Sequence, residues 1–453
     1  MTGAGRSHVR WYLVAWLFVL SAVAFLDRTN ISIAGGFLAS AYHLDKVQLG
    51  WVFSSFLVGY AVFQTPGGRL ADRLGPRRVL AAGVVWWGIF TALTAAVPEK
   101  IGGALLLLIS IRFLLGAGEA VVYPASNQFV ARWIPAGERG KANGWIFAGV
   151  GAGAGLSPPL ITFIMLRYGW RASFWVCAVI GLVAGLIWFL IARDTPAEHP
   201  AVTASERSLI RAGLPAESGQ ASGATLIPWR VVLTSRNVLA VTLSYFSFGY
   251  AAWIFFSWFY TYLAEVRGLN LKSSAFYAML PFLAMAVCCP VGGFISDWLT
   301  RSHGPRVGRC YLAAFAITLA AIFLVIGAEA QGARFAAFIL AGGAGALYLS
   351  QSSFWSVTAD LAGASSGSVS GFMNMGAQFG GAVTASLTPY IAIHFGWTAS
   401  FLVSAGLCLL GAIAWTFVDP ALALDAAPVP SGTLDAAAGD AQNMVRSSTK
   451  VGT

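Results

Sequence analysis

The chain is a succession of long apolar stretches separated by short polar ones. About 20 mainly apolar residues are enough to carry a helix across the hydrocarbon core of a bilayer. Twelve stretches meet that measure, over 11–34, 47–70, 79–97, 103–130, 140–166, 172–192, 238–263, 273–297, 309–328, 334–356, 365–391 and 397–418. The connections are short except one. Residues 193–237 hold most of the long polar sequence and separate six stretches from six. The pattern predicts an all-α membrane protein of twelve transmembrane helices in two six-helix bundles. Residues 1–192 form the first bundle, 193–237 a linker, 238–420 the second bundle, and 421–453 a tail. The tail is built of Ala, Gly, Ser, Asp and Pro without periodicity and is expected to be disordered. No clear small-residue cleavage site follows the first stretch, which reads as a span rather than a removable signal.

Composition excludes the soluble alternative. Hydrophobic residues make up 57% and charged residues 10%, against about 25% charged in a soluble domain. A net charge of +10 would raise nucleic-acid binding in a soluble protein. Here the cations sort by side instead. Nineteen of the 28 Lys and Arg lie in the termini, the linker and the loops that share their side, and seven lie opposite. The positive-inside rule then places both termini in the cytoplasm of a multi-pass cell (inner) membrane protein. Lipid is the expected surroundings, nucleic acid is not a partner, and a monomer is expected. The five cysteines lie in or at the ends of apolar stretches without metal-ligand spacing, so neither a disulfide framework nor a metal site is expected. No nucleophile–base pair or soluble catalytic domain points to an enzyme, and no cofactor is expected beyond protons as coupling ions.

The two remaining cations and two of the 18 acids fall well inside spans. They are Asp27 and Arg28 in span one, and Arg112 and Glu119 in span four. A charge there costs about 2.5–3.5 kcal/mol on insertion scales and is a functional hypothesis by default. Arg112 and Glu119 are seven apart, close to two turns, and share a face. Tyr123 lies on it too. Asp27 and Arg28 point about 100° apart, so one can face a cavity while the other meets a neighbouring helix. Two buried ion pairs would be a costly way to hold a bundle together. A guanidinium in a cavity binds a carboxylate through two parallel hydrogen bonds and never loses its charge. A desolvated carboxylate disfavours its charged form and can load and release protons. Arg28 is therefore expected to bind an anion, Glu119 and Asp27 to carry protons, and Arg112 to sense the charge on Glu119. Tyr60 and Gln64 on span two, Tyr250 in the aromatic span seven, Ser353 and Trp355 on span ten, and Asn374 on span eleven supply hydrogen-bonding groups. The glycine-rich run 149–155 has no Lys-Ser/Thr after it and reads as close helix packing rather than a phosphate loop.

Gly68, Asp72, Arg73, Gly75, Arg77 and Arg78 lie between spans two and three, and Gly293 and Asp297 between spans eight and nine. A Gly-x-x-x-Asp thus recurs at one place in each half. The glycine allows close helix approach, and the Asp can cap or pair as a latch. Here the sequence resembles the major facilitator superfamily, over about residues 11–420. The resemblance implies a central cavity between the bundles, alternating access by rocking of the halves, and a cytoplasmic gate containing Asp72, Arg73 and Asp297. Asp27-Arg28, Tyr60, the Arg112–Glu119 spacing, and the span-eleven segment ending in Asn374 further resemble the anion:cation symporter family. That family includes permeases for sugar acids, tartrate and phthalate. It implies that Arg28 and Tyr60 bind substrate and that Asp27 and Glu119 are proton sites. The expected activity is proton-coupled uptake of a small organic anion such as a sugar acid, dicarboxylate or aromatic carboxylate. The alternative is export or antiport of a drug or metabolite on the same fold.

Overall fold

The computed structural model describes residues 7–214 and 226–424. The predicted tail beyond residue 424 lies outside the described residues. Every regular element among those described is helical. The first bundle comprises α1 Val9–Ala41, α2 Lys46–Leu74, α3 Pro76–Ala96, α4 Ala104–Trp133, α5 Arg139–Tyr168 and α6 Trp170–Ile191. The second begins with α7 Arg236–Ser257 and α8 Leu271–His303. Then come α9 Arg306–Glu329, whose first turns are π-helical, and α10, made of Ala333–Leu349 and Gln351–Ala362. The last helical stretch, Ser366–Ala414, reverses at Gly396 and so forms two spans, α11 before that glycine and α12 after it. The helices run past the predicted limits at several ends. In α10 the extension to Ala362 brings Asp360 into the helix.

The two halves repeat one another in their turns. Gly75 before Pro76 and Gly304 before Pro305 have φ of 88° and 87°, and Gly169 before Trp170 and Gly396 before Trp397 have 84° and 87°. Only a residue without Cβ adopts such φ values without strain, so each pair of glycines sets the same reversal in its half. Both halves also interrupt their fourth helix. α4 breaks at Ala120 and Val121, directly after Glu119, and α10 breaks at Ser350.

Glycine also brings the bundles together. A Cβ on Gly68 would collide with the carbonyl oxygen of Gly367, and one on Gly293 with that of Gly140. These are the α2–α11 and α5–α8 seams. Within the first bundle, Gly149 and Gly153 rest on the backbone of Phe18 and Ala22, while Gly151 faces α8 at Phe282. The glycine-rich run is therefore a packing surface used on both sides, as close backbone approach requires. The five cysteines are free.

Between the bundles the linker forms two short helices, Ala204–Gly213 and Trp229–Thr234. The first docks on the start of α1, where the buried Glu206 accepts the backbone N–H of Val9 at 3.2 Å and of Arg10 at 3.3 Å. The second is preceded by Ile227, whose carbonyl accepts from Arg69 of α2 at 2.9 Å and whose N–H donates to Ser365, just before α11, at 2.9 Å. The linker thus ties the two bundles together at one end. That end is called the linker face below.

Candidate functional site

A cavity of about 660 Å³ lies between the bundles. α1 contributes Arg28 and Thr29, α2 Phe56 and Tyr60, α4 Arg112 and Tyr123, α7 Tyr245 and Trp253, α10 Gln351, and α11 Asn374 and Gln378. On its wall Arg28 donates from Nε to Glu119 Oε1 at 2.6 Å, an ion pair between α1 and α4 in which Arg28 lines the cavity and the buried Glu119 lies behind it. The Arg28 guanidinium lies over the rings of Tyr60 at 4.2 Å, Phe25 at 4.7 Å and Phe56 at 5.4 Å. Stacking of this kind suits a planar cation and holds its fork in place. One terminal nitrogen of Arg28 and one oxygen of Glu119 are buried without hydrogen-bond partners.

Glu119 is paired to Arg28 and not to Arg112, the partner the sevenfold spacing offered. Arg112 lines the cavity over Phe56 at 4.9 Å and makes no ion pair among the described residues. Asp27 points the other way, into the first bundle, where Thr91 of α3 donates to it at 2.8 Å. Nearby, Ser173 donates to Asn30 at 2.7 Å, and Asn30 reaches the Cys177 sulfur at 3.7 Å. Asp27 does not line the cavity. The 100° separation of Asp27 and Arg28 is realised, with Arg28 on the cavity side.

The hydrogen-bonding residues expected to line the cavity divide. Tyr60 and Asn374 do so. Gln64 stands behind the wall and accepts from Asn374 at 3.0 Å, which joins α2 to α11. Trp355 also lies behind it, donating to the Tyr245 hydroxyl at 3.0 Å and packing on Phe147 and Tyr123. Tyr250 and Ser353 are buried away from the cavity with unpartnered oxygens. All three of Trp355, Tyr250 and Ser353 are therefore supporting positions in this conformation. For the two on α10 the reason is helical phase. Gln351 and Tyr348 occupy the face of α10 that sequence polarity assigned to Ser353 and Trp355.

On the linker face the cavity is closed by polar contacts between the bundles. Asp72 of α2 accepts the backbone N–H groups of Gly367 and Ser368, at 2.9 and 2.8 Å, and the Ser368 hydroxyl. Asp297 of α8 accepts those of Gly140 and Lys141, at 2.8 and 2.7 Å. The first turn of a helix carries N–H groups with no intrahelical acceptor and a partial positive charge. Each carboxylate satisfies two of them across the bundle boundary. Arg73, expected beside Asp72, is exposed and makes no ion pair among the described residues, so it stands outside this closure. Three other residues take its place. Arg139 pairs with Asp360 at 2.6 Å, and Arg309 reaches Asp360 at 3.4 Å and Asp297 at 2.9 Å. Asp360 is the lone acid between Glu329 and Asp419, a signal that could have singled it out. Asn127–Thr358, Asn143–Ser356 and Gln128–Ser366 add to these, as do the bonds from Gln128 to the Ala364 carbonyl and from Arg309 to the Ala136 carbonyl. Among the described residues, every hydrogen bond between the bundles lies from Gln64–Asn374 toward the linker face. The cavity therefore belongs to a conformation closed on that face.

A protein-family model described as Major Facilitator Superfamily matches residues 17–385. A probable sulfoacetate transporter of Cupriavidus necator is 31% identical over 431 residues, covering 94% of this chain and 98% of that protein. A probable galactarate/D-glucarate transporter of Escherichia coli is 31% identical, covering 87% and 89%. The fold is shared with the proton:xylose symporter bound to 6-bromo-6-deoxy-D-glucose, at a TM-score of 0.72 and 15% identity, covering 90% of this chain and 96% of that one. The chain belongs to the major facilitator superfamily as a multi-pass secondary transporter, and its relatives agree with the anion:cation symporter branch to which its span-one and span-four motifs point.

Proposed function

We propose that the protein carries a small organic anion into the cell together with protons, by alternating access across the inner membrane. The single observation behind this reading is the 2.6 Å pair of Arg28, which lines the cavity, with Glu119 buried behind it. In the closed-linker-face state Glu119 occupies the guanidinium that an anion would use. Protonation of Glu119 removes that competitor and opens the Arg28 fork to an incoming carboxylate or sulfonate. The anion then restores the negative charge that the proton cancelled, so the site keeps its net charge and binding of each favours the other. This is a reciprocal coupling between two ligands of one cation. Tyr60 holds the fork in position, and Asp27, one helical step away, serves as a second proton site. The linker face, being the side rich in Lys and Arg, is the cytoplasmic one. Asp72 and Asp297 are its latches, and release of the cargo requires both to let go as the halves rock.

The test is transport in proteoliposomes with a panel of radiolabelled small carboxylates and sulfonates. The wild-type protein accumulates at least one of them when the outside is made acidic. Glu119→Gln, a permanent mimic of the protonated acid, loses pH-driven accumulation but keeps exchange of labelled for unlabelled anion. Concentrative uptake persisting in Glu119→Gln overturns the coupling role of this residue.

A further inference from the structure

Twelve of the cavity's 29 lining residues are aromatic. Their arrangement relative to the cation is what matters. The Arg28 guanidinium sits 4.7 Å from the Phe25 ring. Phe25 in turn faces Phe256 of α7 across the bundle boundary, with ring centroids 6.1 Å apart. Phe256 packs on Trp253 at 5.5 Å and on Phe282 of α8 at 4.9 Å. A wall of four rings thus begins beside the anion-binding fork and continues into the second bundle.

Two amides of the facing wall already donate within the protein. Gln351 donates its amide to the Tyr245 hydroxyl at 2.8 Å, and Asn374 donates to Gln64 at 3.0 Å. A polyhydroxylated acid leaves several hydroxyls in need of partners as it loses water, and each one left unmet costs binding. A flat ring has no such need. It replaces water against Phe25, Phe256 and Phe282 and gains the offset or edge contacts that aromatic faces favour.

We propose that the preferred cargo is an aromatic monocarboxylate, its carboxylate on Arg28 and its ring in the slot formed by Phe25, Trp253, Phe256 and Phe282. This rests on the anion-site reading of Arg28 given above and narrows it.

The experiment is equilibrium binding to the full-length protein in nanodiscs, with benzoate and gluconate as monoanionic probes and a wider panel of carboxylates and sulfonates alongside. Benzoate is expected to bind at least tenfold tighter than gluconate. Phe256→Ala, and independently Phe282→Ala on the neighbouring helix, should cut benzoate affinity at least tenfold and change gluconate affinity less than twofold. Gluconate binding as tightly as benzoate to the wild-type protein overturns the aromatic slot and leaves the anion site standing. Folded wild-type protein that binds no member of the panel overturns the anion site, and the slot with it. The wild-type comparison decides the matter even where a variant fails to fold.

Discussion

The Asp72 carboxylate accepts the backbone N–H of Gly367 at 2.9 Å, joining the end of α2 in one bundle to the second residue of α11 in the other. Asp297 repeats this on Gly140, the second residue of α5. In each case the glycine four residues earlier allows the approach, because a side chain there would strike the facing backbone. One recurring tetrad spacing therefore builds two latches related by the internal repeat. The charge of each Asp meets a helix N-terminus, where an anion is favoured.

Replacing Asp72 with Asn keeps the shape but removes the charge and turns a donor toward one of two N–H groups. Hydrogen bonds to a charged group contribute about 1.5–3 kcal/mol, so the closed state should lose population relative to the open one by roughly ten- to a hundredfold. Asp297→Asn should act the same way, with a further loss because its partner Arg309 is fully buried. Labelling of single cysteines placed on the linker-face ends of α5 and α11 measures the shift. Unchanged labelling in both variants would show that the two carboxylates do not hold this face shut.

The Arg28–Glu119 pair gives a prediction in which stability and binding part company. Removing one partner of a buried ion pair leaves the other charge uncompensated and costs about 3–5 kcal/mol. Arg28→Ala should therefore lower the melting temperature markedly, and Glu119→Gln added to it should restore most of the loss. Anion binding should remain absent in both. Recovery of binding in the double variant would remove Arg28 from the anion site.

The linker carries a pH dependence of its own. Burial alone would raise the Glu206 carboxyl, but the hydrogen bonds from Ser7, Arg10 and Val9 outweigh it and hold the group below its ordinary value of 4.5. A depressed carboxylate stabilises the folded state above its unfolded value, and that contribution disappears as pH falls through the folded one. The docked linker helix should thus be firm at neutral pH and loosen in acid, below the ordinary carboxylate range. Glu206→Gln should be loose at neutral pH already and lose the acid transition. Hydrogen exchange at residues 204–213 reads both effects, and protection that is independent of pH in the wild-type protein would refute them.

How far the sequence reaches is visible in single residues. Hydropathy is a local sum, so the twelve spans and the long linker could be read without knowing what packs on what. The scarcity of charge made Asp27, Arg28, Arg112 and Glu119 conspicuous, because each had to be explained against the cost of burial. The paired Gly-x-x-x-Asp was equally plain, since both members of each motif sit one turn apart on one helix. Which way Asp27 and Arg28 point relative to each other followed from helical geometry.

Partnership did not follow. Glu119 pairs with Arg28, 91 residues away in the chain, rather than with Arg112, seven away on its own helix. Arg139 meets Asp360 across 221 residues and Asp72 meets Ser368 across 296. Ser353 and Trp355 looked like cavity residues by polarity but face the packed interior. The sequence by itself determined which residues are expensive to bury and on which helix each one sits. The tertiary structure alone decided how each helix is rotated about its axis, through the glycine seams that bring backbones into contact. That rotation selects which buried charges meet, which face the cavity, and which face of the protein is closed.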